Sequence, residues 1–374
     1  MSESSRHLPV SIYLTWEWWE KHYQQAHGRP ERVDMDWLDA TYLGRQRFLY
    51  EQWGHYGLGQ ATPELDLGFV SKVIVYNCIA VPVVLGMKPM PKEVGGYRGE
   101  PLSEERLRAL RPVAMDDTPY GQRVIRERET RLARYGMVTQ MIDIGTAANN
   151  AYWLRGNEFY ADLIADRDLA HHYLGVITET TCLAYRFVSQ LFGLVDGFPL
   201  GNCNVVMMSP RAYIEMIREH DIRCVLYAAE CTGRPPCTDL HHCDVRAEPF
   251  AEAYRVIPGL RSLQASHLTD IEQIHRIMPH VAFSAIINPA GLLSKPAALT
   301  EAEIDRCLAA GARDLCLWNI DPRFGPEEVR DLLGRIVAVA SRHGREASFA
   351  VTPMSWEELG WEFPRYQLAS LSAA

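Results

Sequence analysis

The sequence lacks a long apolar run. The longest, residues 73–87, contains Tyr76, Asn77 and Pro82 and is shorter than the roughly 20 residues that a membrane-spanning helix requires. The polar start of the chain also lacks the basic flank and apolar stretch of a signal peptide. We therefore expect no membrane span and a cytoplasmic location.

Positive charge is also scarce. The chain has 38 Lys and Arg against 47 Asp and Glu, a formal net charge of −9. Such a balance repels a phosphate backbone unless a local basic patch overcomes it. Nucleic acid is therefore not an expected partner, and a small-molecule substrate is.

Paired cysteines of the Cys-x-x-Cys type are absent. The nine cysteines are an odd number, and a chain of 374 residues can build a core without cross-links. A structural zinc site of the zinc-finger kind is disfavoured for the same reason. We expect thiols rather than disulfides, and some of them are candidates for metal binding.

The chain is predicted to have two parts. Residues 1–130 are rich in Trp, Tyr and charged residues and are predicted to form a helical cap, in which the tryptophans pack in the core or cover a planar ligand. The alternating charges of residues 116–134 are typical of a solvated helix or connector. From residue 131 to 374 short β-type runs alternate with amphipathic helices. This alternation predicts an α/β fold, a (β/α)₈ barrel with the amino-terminal region packed on it.

The predicted strands and helices place many polar residues where a strand ends. The strands are predicted at 137–144, 238–242, 259–265, 281–287 and 313–320, and the helices at 166–194, 270–278, 301–310 and 326–343. In such a barrel the active site forms at these junctions. The polar and aromatic residues there are Asp143, Thr146, Asn202, Cys203, Asn204, His241, Cys243, His267, Asn288 and Trp318.

Five segments between residues 137 and 340, read in order, resemble the uroporphyrinogen decarboxylase superfamily. That superfamily includes methylcobamide:coenzyme M methyltransferases. The resemblance implies a (β/α)₈ barrel whose active site is centred on residues 239–244. The segments are Leu154-Arg155-Gly156, Asp196 to Cys203 followed by Met208-Ser209-Pro210, Arg234-Pro235-Pro236 through His241-His242-Cys243-Asp244, Ile287-Asn288-Pro289, and Ile320-Asp321-Pro322 to Pro326-Glu327-Glu328.

The sequence also departs from that superfamily. The Arg-rich amino-terminal motif of uroporphyrinogen decarboxylase has no counterpart in residues 11–59, so decarboxylation of uroporphyrinogen is disfavoured. In the methyltransferases the last strand carries a zinc-binding thiolate. Trp318 aligns with that position here, and Cys316 lies two residues earlier.

His241 and Cys243 are the predicted centre of a metal site. Side chains alternate along a strand, so these two are expected to face the same side and His242 the other. Zn²⁺ accepts such nitrogen and sulfur ligands, and a catalytic site uses three protein ligands with one open position. Cys316 is the first candidate for the third ligand, and Cys203 is the second. The alternative is that the pair arose by chance, with buried cysteines acting as small apolar residues.

Other junction residues have two interpretations each. Asn202, Asn288 and His267 are predicted to act on or orient the substrate, and Asp143, Thr146, Asn204 and Trp318 to contact a cofactor. Asn and Asp at such positions also cap helices, and a buried histidine often has a structural role only.

These features predict a zinc-dependent methyl or alkyl transferase, which moves a methyl group from a corrinoid or another donor to a thiol. The corrinoid would come from a partner protein, because the sequence contains no Asp-x-His-x-x-Gly corrinoid-binding motif. The alternatives are a metal-free decarboxylase or lyase acting on a small carboxylated substrate, and a non-enzymatic tetrapyrrole or corrinoid carrier. The sequence leaves the oligomeric state open, with a homodimer as one alternative.

Overall fold

The fold was described from a computed structural model. It covers residues 6–23, 35–75, 80–91, 97–142, 144–193, 195–243, 245–288, 291 and 294–352. None of the helices in these ranges is both long and apolar enough to cross a membrane.

Strands and helices alternate along most of the described chain. The strands are β1 (His7–Leu14), β2 (Lys72–Val75), β3 (Lys88–Pro91), β4 (Tyr97–Glu100), β5 (Thr139–Ile142), β6 (Leu200–Gly201), β7 (Thr238–His241), β8 (Leu260–Ser266), β9 (Ala282–Ile287), β10 (Asp314–Ile320) and β11 (Glu346–Val351). The helices are α1 (Trp16–His22), α2 (Met35–Trp53), α3 (Leu67–Val70), α4 (Ala80–Val84), α5 (Glu104–Ala109), α6 (Pro119–Tyr135), α7 (Ala147–Arg155), α8 (Glu158–Ala165), α9 (Arg167–Phe192), α10 (Pro210–Met216), α11 (Arg218–Thr232), α12 (Ala251–Tyr254), α13 (Ile271–Ile277), α14 (Ala297–Ala309) and α15 (Pro326–Arg342).

Seven of the strands form one parallel sheet in the order β11-β1-β10-β9-β8-β7-β6. Strands β2 and β5 form a separate parallel pair, and β3 and β4 an antiparallel one. The predicted α/β fold is therefore confirmed. The seven-stranded sheet does not close into a barrel within the described residues, so the closed eight-stranded barrel stays a prediction.

The chain divides into two compact units. Among the described residues, unit 1 comprises those within 6–66, 245–248 and 264–352, and unit 2 comprises those within 67–243 and 249–263. Residues within each unit pack mainly against other residues of the same unit. The predicted division into a cap (1–130) and a barrel (131–374) stays a prediction.

Strand β1 supplies a central element of unit 1. Its inward residues alternate, with Leu8, Val10, Ile12 and Leu14 buried, as period-two geometry requires. Val10 lies opposite Leu315 of β10 on one side and opposite Phe349 of β11 on the other. Neither β1 nor β11 is among the strands that the sequence predicts: β1 lies in the region predicted as a helical cap, and β11 follows the last predicted helix.

Three tryptophans of the amino-terminal region are core residues of unit 1. Trp18, Trp19 and Trp53 are fully buried. Trp18 Nε1 donates to the Phe324 carbonyl oxygen at 2.6 Å, and Trp53 Nε1 donates to that of Pro326 at 3.0 Å. Core packing is the first of the two roles that the sequence predicts for these side chains, and a buried indole with a partner for its N–H is typical of it.

Helix α6 differs from the solvated helix or connector predicted for residues 116–134. The charge run does form a helix, but Arg123, Glu127 and Arg131 are buried in unit 2, so the helix is not solvated all round. Glu127 accepts hydrogen bonds from both arginines, and Arg131 also donates to the Val70 carbonyl oxygen. Residues four apart share one face of a helix, and the paired charges allow that face to be buried.

Candidate metal centre

The centre is built where β6 and β7 end in unit 2. The two strands are parallel, with Leu200 opposite Leu240 and Gly201 opposite His241. Beyond the last pair, the Asn202 amide donates to the His241 carbonyl oxygen at 2.7 Å. This bond holds the residues that follow β6 against the end of β7.

Cys203, His241 and Cys243 come together at these two strand ends. Their ligand atoms all lie within 4.8 Å of one another, and all three residues are half-buried. Zinc ligands at ordinary bond lengths in a tetrahedron lie about 3.5 Å apart. Small side-chain shifts would therefore close this cluster on an ion, and the cluster could bind a metal.

Cys243 reaches the cluster through an unusual backbone conformation. Strand β7 ends at His241, and Cys243 has a φ of +21°. The alternation of side chains along a strand is therefore not what brings His241 and Cys243 together. A positive φ is costly for a residue with a side chain, and such conformations are concentrated at functional sites.

Residues of helix α7 hold the loop that carries Cys203. Thr146, the residue before α7, donates from its hydroxyl to the Gly201 carbonyl oxygen at 2.8 Å. Asn149 Oδ1 accepts from the Asn204 amide at 2.8 Å and from Asn204 Nδ2 at 3.2 Å. The Tyr160 hydroxyl donates to the Asn204 carbonyl oxygen at 3.1 Å. The backbone on both sides of Cys203 is thus fixed by hydrogen bonds.

Asn202 is fully buried and does not face the solvent. Its Nδ2 donates to Asp221 Oδ2 at 3.0 Å, and the Tyr213 hydroxyl donates to the same oxygen at 2.8 Å. Burial raises the pKa of Asp221 to about 6, and the two donors lower it. The predicted role of Asn202 toward a substrate stays a prediction.

His242 lies between two members of the cluster but belongs to the core of unit 2. It is fully buried, its Nδ1 and the Tyr254 hydroxyl are hydrogen-bonded at 2.7 Å, and its ring packs against Phe250 with centroids 5.0 Å apart. The sequence predicts that His242 faces away from His241 and Cys243, and its burial among Tyr254 and Phe250 agrees with that prediction.

The remaining predicted residues that the structure describes lie in unit 1. His267 Nδ1 bonds to the Ile286 carbonyl oxygen at 3.1 Å, which accepts only, so Nδ1 carries a proton. Nε2 lies 3.6 Å from Glu303 Oε2, and Lys295 Nζ lies 2.7 Å from Glu303 Oε1. The exposed Asn288 accepts from the Gly291 amide at 3.3 Å, a turn contact.

Cys316 and Trp318 are on strand β10 in unit 1. Cys316 is fully buried, and burial raises the pKa of its thiol to about 12, with a hydrogen bond from Ser11 opposing that rise. Trp318 packs on Tyr13 with ring centroids 4.7 Å apart. Their predicted roles toward metal and cofactor stay predictions, as does that of Asp143, which lies outside the described residues.

Three residues do not stand out in the sequence: Asn149 and Asp221, which lie near the centre, and Glu303, which lies beside His267. Asn149 sits in the first turn of α7, where capping explains an asparagine equally well. Asp221 lies inside a helix among charged residues, and Glu303 lies inside another. Only Asn149 carried a signal that could have identified it, because it lies in the first turn of the helix that follows β5.

No protein-family model matches the chain, and no curated protein is significantly similar to it in sequence. Among solved structures, it is similar to a methyltransferase from Methanosarcina mazei, with a TM-score of 0.52 and 15% identity over 84% of this chain and 95% of that one. At this identity the likeness shows the fold alone.

A second solved structure is a GH138 enzyme targeting pectin rhamnogalacturonan II. The TM-score is 0.39 at 11% identity, over 91% of this chain and 39% of that one. A similarity this low supports no argument about the present chain.

Proposed function

We propose that this protein is a zinc-dependent methyl or alkyl transferase of the uroporphyrinogen decarboxylase-like superfamily. The observation that carries the proposal is the cluster of Cys203, His241 and Cys243, whose ligand atoms lie within 4.8 Å of one another. The fold shared with a methyltransferase from Methanosarcina mazei supports it, as does the order of strand-end segments in the sequence.

The donor set suits zinc. Two cysteine sulfurs and one imidazole nitrogen are ligands that zinc binds tightly, and three protein ligands are the number that catalytic sites use. Cys203 takes the place of the third ligand in this proposal, because it is the cysteine that meets His241 and Cys243. When bound, zinc would lower the pKa of an incoming thiol and so supply a nucleophile at neutral pH.

The chain's own residues supply the framework for the reaction. The hydrogen bonds of Thr146 and Asn149 hold the segment that carries Cys203.

In the proposed transfer, the acceptor's sulfur forms a bond to the methyl carbon while the bond between that carbon and the donor breaks, and the electron pair of the broken bond stays with the donor. The proposed donor is a corrinoid carried by a partner protein, and the proposed acceptor is a small thiol.

Metal analysis tests the zinc site. The protein purified under reducing conditions should contain about one zinc per chain, and the variant H241A/C243S should contain almost none. C231S is a matched control, because Cys231 is a half-buried cysteine of unit 2 outside the cluster, and it should retain the zinc. Wild-type protein without stoichiometric zinc contradicts the proposal.

Transfer is tested separately. A methylated corrinoid and a panel of small thiols are incubated with the zinc-loaded protein, and the methyl thioether is measured by mass spectrometry. Zinc binding without thioether formation from any pair would contradict the transferase assignment and leave the metal site standing.

A metal-free lyase is a second candidate, favoured by the contact between His267 and Glu303. A histidine with Nδ1 bonded to a carbonyl and Nε2 3.6 Å from a carboxylate is suited to proton transfer. In that case H267Q abolishes turnover of a small carboxylic acid, whereas removal of metal with a chelator leaves it unchanged.

A further inference from the structure

A buried carboxylate lies behind the candidate metal centre. Asp221 of α11 is 1% exposed and Asn202 is fully buried. Asp221 Oδ2 accepts from Asn202 Nδ2 at 3.0 Å and from the Tyr213 hydroxyl at 2.8 Å. Both partners are neutral, so the carboxylate is buried without an opposite charge among the described residues.

A second buried aspartate of unit 2 shows how the surroundings of Asp221 differ from those of a carboxylate with a purely structural role. Asp162 forms an ion pair with Arg155, with hydrogen bonds of 2.9 and 3.3 Å, and the Tyr173 hydroxyl lies 3.5 Å away. Its burial is thus compensated by a cation. Burying a carboxylate without such a partner is costly, and burial raises the pKa of Asp221 accordingly.

Asp221 is connected to two members of the cluster through Asn202. The Asn202 backbone precedes Cys203 directly, and its amide donates to the His241 carbonyl oxygen at 2.7 Å. Its side chain is held by Asp221 at 3.0 Å. Asn202 therefore connects Asp221 both to the segment that carries Cys203 and to the end of strand β7, where His241 lies.

We propose that Asp221 is a positioning residue of the metal centre. Through Asn202 it fixes the end of β6 against β7, so that Cys203 and His241 face the same ion, and its negative charge favours a cation there. Residues that orient metal ligands through hydrogen bonds commonly matter for affinity. The inference rests on the proposed function to the extent that it requires the cluster to bind metal.

Affinity for zinc tests this directly. Zinc is titrated against a chromophoric chelator with the wild type, D221N and the matched control D162N. We expect D221N to bind zinc about 10-fold more weakly or worse, whereas D162N changes the affinity less than about 2-fold. D162N breaks a buried ion pair, so it should lose at least as much thermal stability as D221N.

A milder pair of variants covers the case in which D221N does not fold. Y213F removes one of the two donors to Asp221, and Y173F removes the hydroxyl near Asp162. Y213F should weaken zinc binding about 3-fold and shift the thiolate-to-metal absorption band of the cobalt-substituted protein. Y173F should do neither.

The outcomes separate the two ideas. A wild type that binds zinc while D221N and Y213F bind it equally well overturns the positioning role and leaves the proposed zinc site intact. A wild type that binds no zinc overturns both. Equal weakening in D221N and D162N also overturns the inference, because general destabilisation would then explain the loss.

Discussion

Cys203 and Cys316, the two candidates for the third ligand, occupy different surroundings. Cys203 is half-buried at the start of a short 3₁₀ helix (Cys203–Met207) beyond the end of β6, where it meets a histidine and another cysteine. Cys316 is fully buried within strand β10, and burial raises the pKa of its thiol to about 12. A thiol beyond a strand end meets ligands from neighbouring strands, whereas one inside a strand meets core side chains.

The comparison shows that being a cysteine does not by itself decide whether a residue can bind zinc. Cys203 follows a strand and Cys316 lies within one, and both satisfy the chemistry of a zinc ligand. Burial in a close-packed strand makes the second one behave as a small apolar residue. Reactivity, zinc affinity and stability should each distinguish the two regions.

Alkylation of the metal-free protein should show the largest contrast. Cys203 and Cys243 should react with iodoacetamide in the folded state, and Cys316 at least about 1,000-fold more slowly, because thiolate is the reactive form and burial disfavours it. Peptide mass spectrometry over time measures each site. Modification of Cys316 at the rate of Cys203, with the protein folded, would remove the contrast.

Zinc affinity should follow the same order. C203A loses one of the three proposed ligands and should bind zinc at least about 100-fold more weakly, whereas C316A should stay within about 3-fold of the wild type. Competition with a chelator gives both values. The reverse order would assign the third ligand to Cys316.

Acid should weaken unit 2 through His220. Burial, and then the nearby His171, lower the pKa of His220 to about 4, and its Nδ1 is hydrogen-bonded to the Thr178 hydroxyl at 2.8 Å. The unfolded chain binds this proton near the ordinary pKa of 6.5, so stability is lost as the pH falls from 6.5 to about 4.

Between pH 7 and pH 5 this loss should be about 1 to 2 kcal/mol. Urea unfolding of the wild type and H220Q at both pH values measures it, with the variant losing less. An equal loss in the two proteins would show that other groups cause the acid sensitivity.

Replacing each cysteine should affect the stability of the protein in the reverse order from zinc affinity. These effects on stability should be the smallest of those predicted. In the metal-free protein, C316A leaves a small cavity in the core and should lower the free energy of unfolding by about 1 kcal/mol. C203A, at a half-buried site, should change it by less than about 0.5 kcal/mol. Urea midpoints of the two variants decide, and a larger loss in C203A would contradict the assignment of Cys316 to the core.

Much of the strand-helix order was predictable. The predicted strands at 259–265 and 281–287 correspond to β8 and β9, and the predicted helix at 326–343 corresponds to α15. Period-two and helical apolar patterns report local burial, which explains these successes. The same patterns gave no strand at β1, whose partners β10 and β11 are some 300 residues away in the chain.

The sequence predicted two ligands of the site and left the third open between Cys316 and Cys203. His241 and Cys243 were identified from their spacing and from the family resemblance, and the structure brings them together with Cys203. The spacing argument assumed a regular strand, and the φ of +21° at Cys243 departs from it. Asn149 and Asp221 were not predicted, because asparagines and aspartates also serve as ordinary cap and surface residues.

The sequence by itself determined the α/β class, the positions of several strands and helices after residue 131, and His241 and Cys243 as members of the cluster, because these depend on local periodicity and on residue chemistry. Only the tertiary structure decided that, of the described cysteines, Cys203 meets His241 and Cys243, and that the Asp221 carboxylate, which has no cationic partner among the described residues, lies next to Asn202. Both facts depend on the pairing of β6 with β7 and on helices packed from other parts of the chain, and contacts between distant segments leave no periodic trace in the sequence.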